Sequence, residues 1–170
     1  MAFRFAALPH LLVALAACGR SPAPDAPRPE PEVCQLAPVL ERALGWSDYV
    51  VDCGALVRAE PSSAWQRARA CVLTAQAAGI AYKLSYEQPS YDSLESAGIA
   101  GRGRAQPALF VRRSSLSIAP WRMQTSLHSA SCADIRARSD CSVSAGEPCL
   151  ECVGAQSART LCNEVSSLSR

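Results

Sequence analysis

Nine cysteines in 170 residues constrain this chain more than any other feature. Cys18 stands alone behind an apolar N-terminal stretch, and the other eight are Cys34, Cys53, Cys71, Cys132, Cys141, Cys149, Cys152 and Cys162. In an exported chain an even set is read as a disulfide framework, here four bridges with on the order of a hundred alternative pairings. Each bridge stabilises the fold by about 2–4 kcal/mol, mainly by restricting the unfolded chain. Only one pair is favoured from position: Cys53 with Cys71, which would pin a helix to the strand before it. From Cys132 onward, cysteines alternate with Ser, Gly and Pro, and too few large apolar residues are present for a second core. Residues 132–170 are therefore expected to be a cysteine-rich, disulfide-stapled appendage, with a short helix over Ala155 to Val165.

Two sharper chemistries compete with staples in that tail. Structural zinc wants four soft ligands, often as two close pairs, whereas the tail holds one C-x-x-C, Cys149 to Cys152, and no nearby histidine. A redox role for Cys149 and Cys152 wants positive neighbours or a helix N-terminus to lower the thiol pKa. Instead Glu147 and Glu151 flank the pair, and no alternation of strands and helices of thioredoxin type precedes it.

The N-terminus has its own pattern. Arg4 gives a small positive region, and Phe5 to Ala17 is apolar apart from Pro9 and His10. The run is shorter than the roughly 20 residues that span a bilayer, and it ends in small residues suited to a peptidase. An uncleaved helix and an ordinary secretory signal are the competing readings. Leu15-Ala16-Ala17-Cys18, followed by Gly19, resembles the lipobox of bacterial lipoproteins. The resemblance implies that residues 1–17 are removed and that Cys18 is lipidated through sulfur and becomes the new N-terminus. Gly19 is not an acidic retention signal, which favours the outer membrane or the periplasmic face.

Residues 18–32 then form a tether. Pro22, Pro24, Pro27, Pro29 and Pro31 interrupt helices and remove ladder donors, and interspersed Arg, Asp and Glu keep the stretch wet. In extended polyproline form it would reach roughly 40 Å. A spacer holding a domain off a membrane is favoured over a ligand for a proline-recognition domain.

Residues 33–131 read as one small α+β domain. Leu36, Val39, Leu40 and Leu44 recur at helical spacing, and Gly45 suits the stop. Trp46 to Val51 favours extended chain, which Cys53-Gly54 interrupts before Ala55. The strongest helix is Ala64 to Ala78: Ser63 with Gln66 suggests a capping box, Gly79 a left-handed end, and Trp65, Ala68, Val72 and Ala75 an apolar stripe. Four strands follow: Ile80 to Glu87, Tyr91 to Ala100, Ala108 to Arg113, and Trp121 to Leu127. Short links favour antiparallel neighbours. The expected architecture is one main helix packed on a four-stranded antiparallel sheet, cystatin-like in outline, with Trp65, Val72, Tyr82, Leu84, Phe110 and Trp121 buried.

Trp65, Ala68, Cys71 and Ala75 on that helix, then Tyr86 and Asp92-Ser93, make residues 53 to 132 resemble uncharacterised small cysteine-rich exported proteins of myxobacterial type. Cys149-Leu150-Glu151-Cys152 resembles a cysteine-rich segment of such proteins, although the adjacent cysteine pair often found after it is missing. The resemblance implies fold context and no activity.

No catalytic signature emerges. His128 is the one histidine left after removal of the signal, no G-x-S-x-G elbow, Walker A or H-E-x-x-H motif occurs, and Gly98 to Gly103 departs from the dinucleotide fingerprint. Asp92 and Glu95, three apart on a strand, face opposite sides and make a poor acid–base pair. A formal net charge of +2 points neither to a nucleic-acid partner nor to an acidic scavenger. Arg102, Arg104, Arg112, Arg113 and Arg122 are candidate contacts for anionic envelope polymer or lipid headgroups, against a plainer role as solvated charge protecting sheet edges. The sequence reading is a non-catalytic, lipid-anchored envelope protein with a membrane contact through its anchor and an envelope polymer or protein as partner. No cofactor or metal is expected. The alternative is an envelope thiol-disulfide oxidoreductase using Cys149 and Cys152.

Overall fold

The computed structural model describes residues 34–103, 105–117, 122–141 and 146–167. The expectations for the signal, Cys18 and the tether, and those for Arg104 and Trp121, lie outside the described residues.

The element order is α1 (Leu36–Leu44), β1 (Val50–Leu56), α2 (Ser62–Ala77), β2 (Ala81–Gln88), β3 (Ser93–Gly101), β4 (Ala108–Ser117), β5 (Arg122–Ser131), β6 (Asp134–Ala137), β7 (Leu150–Val153) and β8 (Gln156–Ser167). Strands β1-β2-β3-β4-β5-β8 form one six-stranded sheet, and β6 with β7 forms a separate ribbon. The class is α+β, but the sheet is larger than the four strands expected. The four strands read from the sequence, β2 to β5, pair antiparallel in chain order. The extra members are the two edges. β1 pairs parallel with β2, because α2 between them returns the chain to the same end of the sheet. β8 pairs antiparallel with β5 across two register shifts. The short helix expected over Ala155 to Val165 is thus a strand: its backbone groups are satisfied by β5, and Cys162 faces inward to a disulfide. The tail contributes a full strand to the main sheet, and Pro31–Arg170 forms one compact unit.

Alternation along β2 separates two cores. Tyr82, Leu84 and Tyr86 lie with Trp65, Ala68, Val72 and Ala75 of α2, joined by Ala97, Ile99, Cys132 and Ile135. Ala81, one residue out of phase, belongs with Leu36, Val39, Leu40 and Leu44 of α1, together with Ala100, Phe110 and Leu127. Adjacent strand residues point to opposite faces, so α2 covers one face and α1 the other. A single main helix was expected because α2 has the longer apolar stripe; α1 is short but buries four side chains.

Small residues allow both contacts. Gly98 lies under α1, where an added Cβ would come within 2.8 Å of Leu40 and 3.2 Å of Leu36. Helix α2 begins after Pro61 without a side-chain cap, so the Ser63–Gln66 capping box does not form. Its end matches the expectation: Gly79 takes φ 67°, and its N–H donates to the carbonyl of Gln76 at 3.0 Å. Gln76 joins three elements. It accepts from the Tyr82 hydroxyl at 2.7 Å, and its amide donates to Asp134 and to the carbonyl of Ile135. The β6–β7 ribbon is thereby tied to the helix side of the sheet.

Of the six residues expected in the core, Trp65, Val72, Tyr82, Leu84 and Phe110 are buried. Leu84 is fully buried against α2. Leu84→Ala is expected to cost about 2–5 kcal/mol, from lost transfer energy and the cavity left behind. Urea unfolding of the two proteins measures it, and a change near zero would remove Leu84 from the core.

Candidate functional site

All eight cysteines beyond Cys18 are paired, as Cys34–Cys162, Cys53–Cys71, Cys132–Cys152 and Cys141–Cys149. The C-x-x-C is divided between two bridges, so Cys149 and Cys152 do not form one redox pair. Donor atoms of Cys141, Glu147 and Cys149 lie within 4.8 Å of one another. Both sulfurs are consumed in one covalent bond, however, leaving a carboxylate and no thiolate for a metal. Glu147 also faces Arg138 at 3.6 Å. Burial, with a further contribution from the Glu147 charge, pushes the Tyr86 phenol up to about 12.

His128 is exposed on β5 beside the Thr160 hydroxyl at 3.2 Å. Asp92 precedes β3, whose Glu95 is engaged by Arg113 at 2.6 Å. Neither arrangement assembles a nucleophile with a base.

The candidate arginines are dispersed. Arg102 donates to the carbonyls of Ala43 and Arg42, where a cation satisfies the C-terminal end of α1. Arg112 lies at the other end of that helix, and its Nε donates to the Cys34 carbonyl at 2.8 Å. Arg113, on the opposite face of β4 from Arg112, pairs with Glu95. Arg122 is exposed at the start of β5. No common patch forms from the described members of this set.

Arg112 does enter a different constellation. A cavity of about 340 Å³ is lined by Arg58, Glu87, Gln88, Ser90, Ser96 and Arg112, with Ser93, Leu94 and Glu95 completing its wall. Its floor is a cross-strand row, Glu87 on β2, Ser96 on β3 and Arg112 on β4, fixed by the sheet register. The floor is open because α1 starts at Leu36 and covers the Gly98–Phe110 end of this face. Arg58, just after β1, closes one side, and its backbone N–H donates to Glu87 Oε2 at 2.9 Å. Ser90 and Ser93 hydroxyls meet at 2.7 Å across the turn between β2 and β3. A second depression of about 410 Å³ adjoins it, sharing Ser90, Ser93 and Leu94 and adding Tyr91, Leu116 and Met123. Tyr91 and Leu94 are exposed there.

Of the residues around this cavity, Arg112 was a candidate from the sequence, whereas Arg58, Glu87, Gln88, Ser90 and Ser96 were not. These residues come from four separate stretches, and no spacing rule links them before the sheet forms. No protein-family model, curated protein or solved structure matches the chain.

Proposed function

We propose that this is an exported cell-envelope protein, held to a membrane by lipid on Cys18, which presents a disulfide-stabilised domain in a non-catalytic binding role. The single observation that carries the reading is the complete pairing of the eight downstream cysteines, with Cys18 alone left over. Four disulfides belong to an oxidising compartment, outside the reducing cytosol. No helix among the described residues is long and apolar enough to cross a membrane. An acyl anchor at Cys18, followed by the proline-rich segment, supplies attachment by another route. Its partner is an envelope polymer or protein, reached from the outer membrane or the periplasmic face.

Fractionation of wild type and Cys18→Ser tests the reading. Two or three acyl chains hold without electrostatic help, since each buried methylene contributes about 0.8 kcal/mol. The wild type is expected to stay with membranes through a high-salt wash and to enter detergent. Cys18→Ser is expected in the soluble fraction, and an intact mass of the wild type should show a diacylglyceryl-modified chain beginning at Cys18. If both proteins remain with membranes after salt, or if the mature chain starts elsewhere, the anchor is wrong.

A further inference from the structure

We infer that the cavity between Arg58 and Arg112 is a binding site for an acidic saccharide, an inference that rests on the binding role proposed above and names its ligand class. The volume of about 340 Å³ suits one or two sugar rings, and pockets of a few hundred Å³ with convergent polar groups are the ordinary form of small-ligand sites.

Two arginines, Arg58 and Arg112, line the cavity. Arg112 is held by its Nε, which donates to the Cys34 carbonyl at 2.8 Å, and its Nη groups make no hydrogen bond among the described residues. The Arg58 side chain makes no ion pair among the described residues. A carboxylate or phosphate matches such donors well, because charge-assisted bonds to a planar fork are short and directional.

The remaining wall decides the class. A bare anion would meet Glu87 on the floor and Asp92 at the adjoining rim, both acceptors and both negative. A saccharide turns these groups to advantage, since its hydroxyls donate to Glu87 and Asp92. They also exchange hydrogen bonds with Gln88, Ser90 and Ser96. The adjoining depression supplies the apolar half of the match. Tyr91, fully exposed, stands with Leu94, Leu116 and Met123, a surface on which the C–H face of a further ring can lie. The two depressions share Ser90, Ser93 and Leu94, so one short chain of sugars spans both. An anionic phospholipid would place its phosphate on the same arginines. Its acyl chains would pass the Ser90, Ser93 and Asp92 polar groups, which fits the wall less well.

Calorimetric titration of the full mature chain, disulfides intact, tests the site with trigalacturonate, its fully methyl-esterified form, and vesicles of phosphatidylglycerol. Saturable binding of the acid is expected, with the neutral ester weaker by about tenfold or more, the loss that follows from one charge-assisted contact. Arg58→Gln and Arg112→Gln are each expected to weaken the acid by a similar factor and to leave the ester little changed. Arg58 has no side-chain role in the fold described above, so its variant reads binding even if Arg112→Gln disturbs the Cys34 contact. Equal binding of acid and ester, no saturable binding of the acid, or tighter binding of vesicles lost in the same variants would each overturn the inference. Fractionation reads the anchor and titration reads the cavity, so failure of one is separable from failure of the other.

Discussion

Removal of the Cys34–Cys162 bridge, by Cys34→Ala with Cys162→Ala, is expected to cost about 5 kcal/mol of folding stability. The bridge has the widest span of the four, a sequence separation of 128. In the chain-entropy account a cross-link stabilises by restricting the unfolded ensemble, and the effect grows with the logarithm of the loop. The Cys141–Cys149 bridge, at a separation of 8, is expected to contribute about half as much, roughly 2.5 kcal/mol. Native packing reinforces the difference. Cys34 and Cys162 are both buried in the core beneath α1, joining the residue that enters the helix to the outer strand β8. Domains of this kind have about 5–15 kcal/mol in total, so the loss takes the least stable of them to the edge of unfolding. Urea titration of the wild type and of the two double variants measures the contrast, provided the slope stays constant. Equal losses from the long and the short loop would contradict it.

Trp65→Ala is expected to be the most damaging single core substitution, at about 3–5 kcal/mol. The indole is fully buried and stands edge-on to Tyr86, with ring centroids 6.2 Å apart and planes at 81°. Its Nε1–H donates to the Glu60 carbonyl at 3.1 Å, tying the first turn of α2 to the loop before it. Truncation opens a cavity between α2 and the sheet and leaves that carbonyl to water. Trp65→Phe separates the two effects. It keeps the ring contact with Tyr86, loses the hydrogen bond and some volume, and is expected to cost about 1–2 kcal/mol. Thermal and urea unfolding of the pair decide the point. A phenylalanine variant as unstable as the alanine one would place most of the energy in the hydrogen bond rather than in packing.

The cavity on the other face takes no lining residue from the core around Trp65 and Leu84. Trp65 and Leu84 belong to the core under α2, whereas Arg58, Glu87, Ser96 and Arg112 line the open end of the α1 face. Lys83 shows how the covered end is finished: its amine pairs with Glu41 of α1 and lies 3.5 Å from Asp52 of β1. The hydrogen bond that its amine donates to Glu41 is the main cause that raises its pKa, against the opposing effect of desolvation. The pairs are partly exposed and act as a polar seam between helix and sheet edge, worth little in stability.

Elements whose signals are local were legible before any tertiary contact is considered. Helices α1 and α2 follow from apolar residues at 3.6-residue spacing closed by Gly45 and Gly79, and β2 from strict alternation over Ala81 to Glu87. Burial of Trp65, Val72, Tyr82, Leu84 and Phe110 was legible for the same reason. Tertiary structure alone decided the edges of the sheet. The segment from Ala155 to Val165 carries no alternation, and it extends because β5 offers unpaired backbone groups and Cys162 finds Cys34. The parallel direction of β1 depends on the path of α2, a relation between three elements rather than a property of any one. Composition indicates four bridges and position indicated Cys53–Cys71, while the fold selects the partners of the other six cysteines. The cavity is decided in the same way: the register of β2, β3 and β4 sets Glu87, Ser96 and Arg112 in one row, and the short reach of α1 leaves that row uncovered.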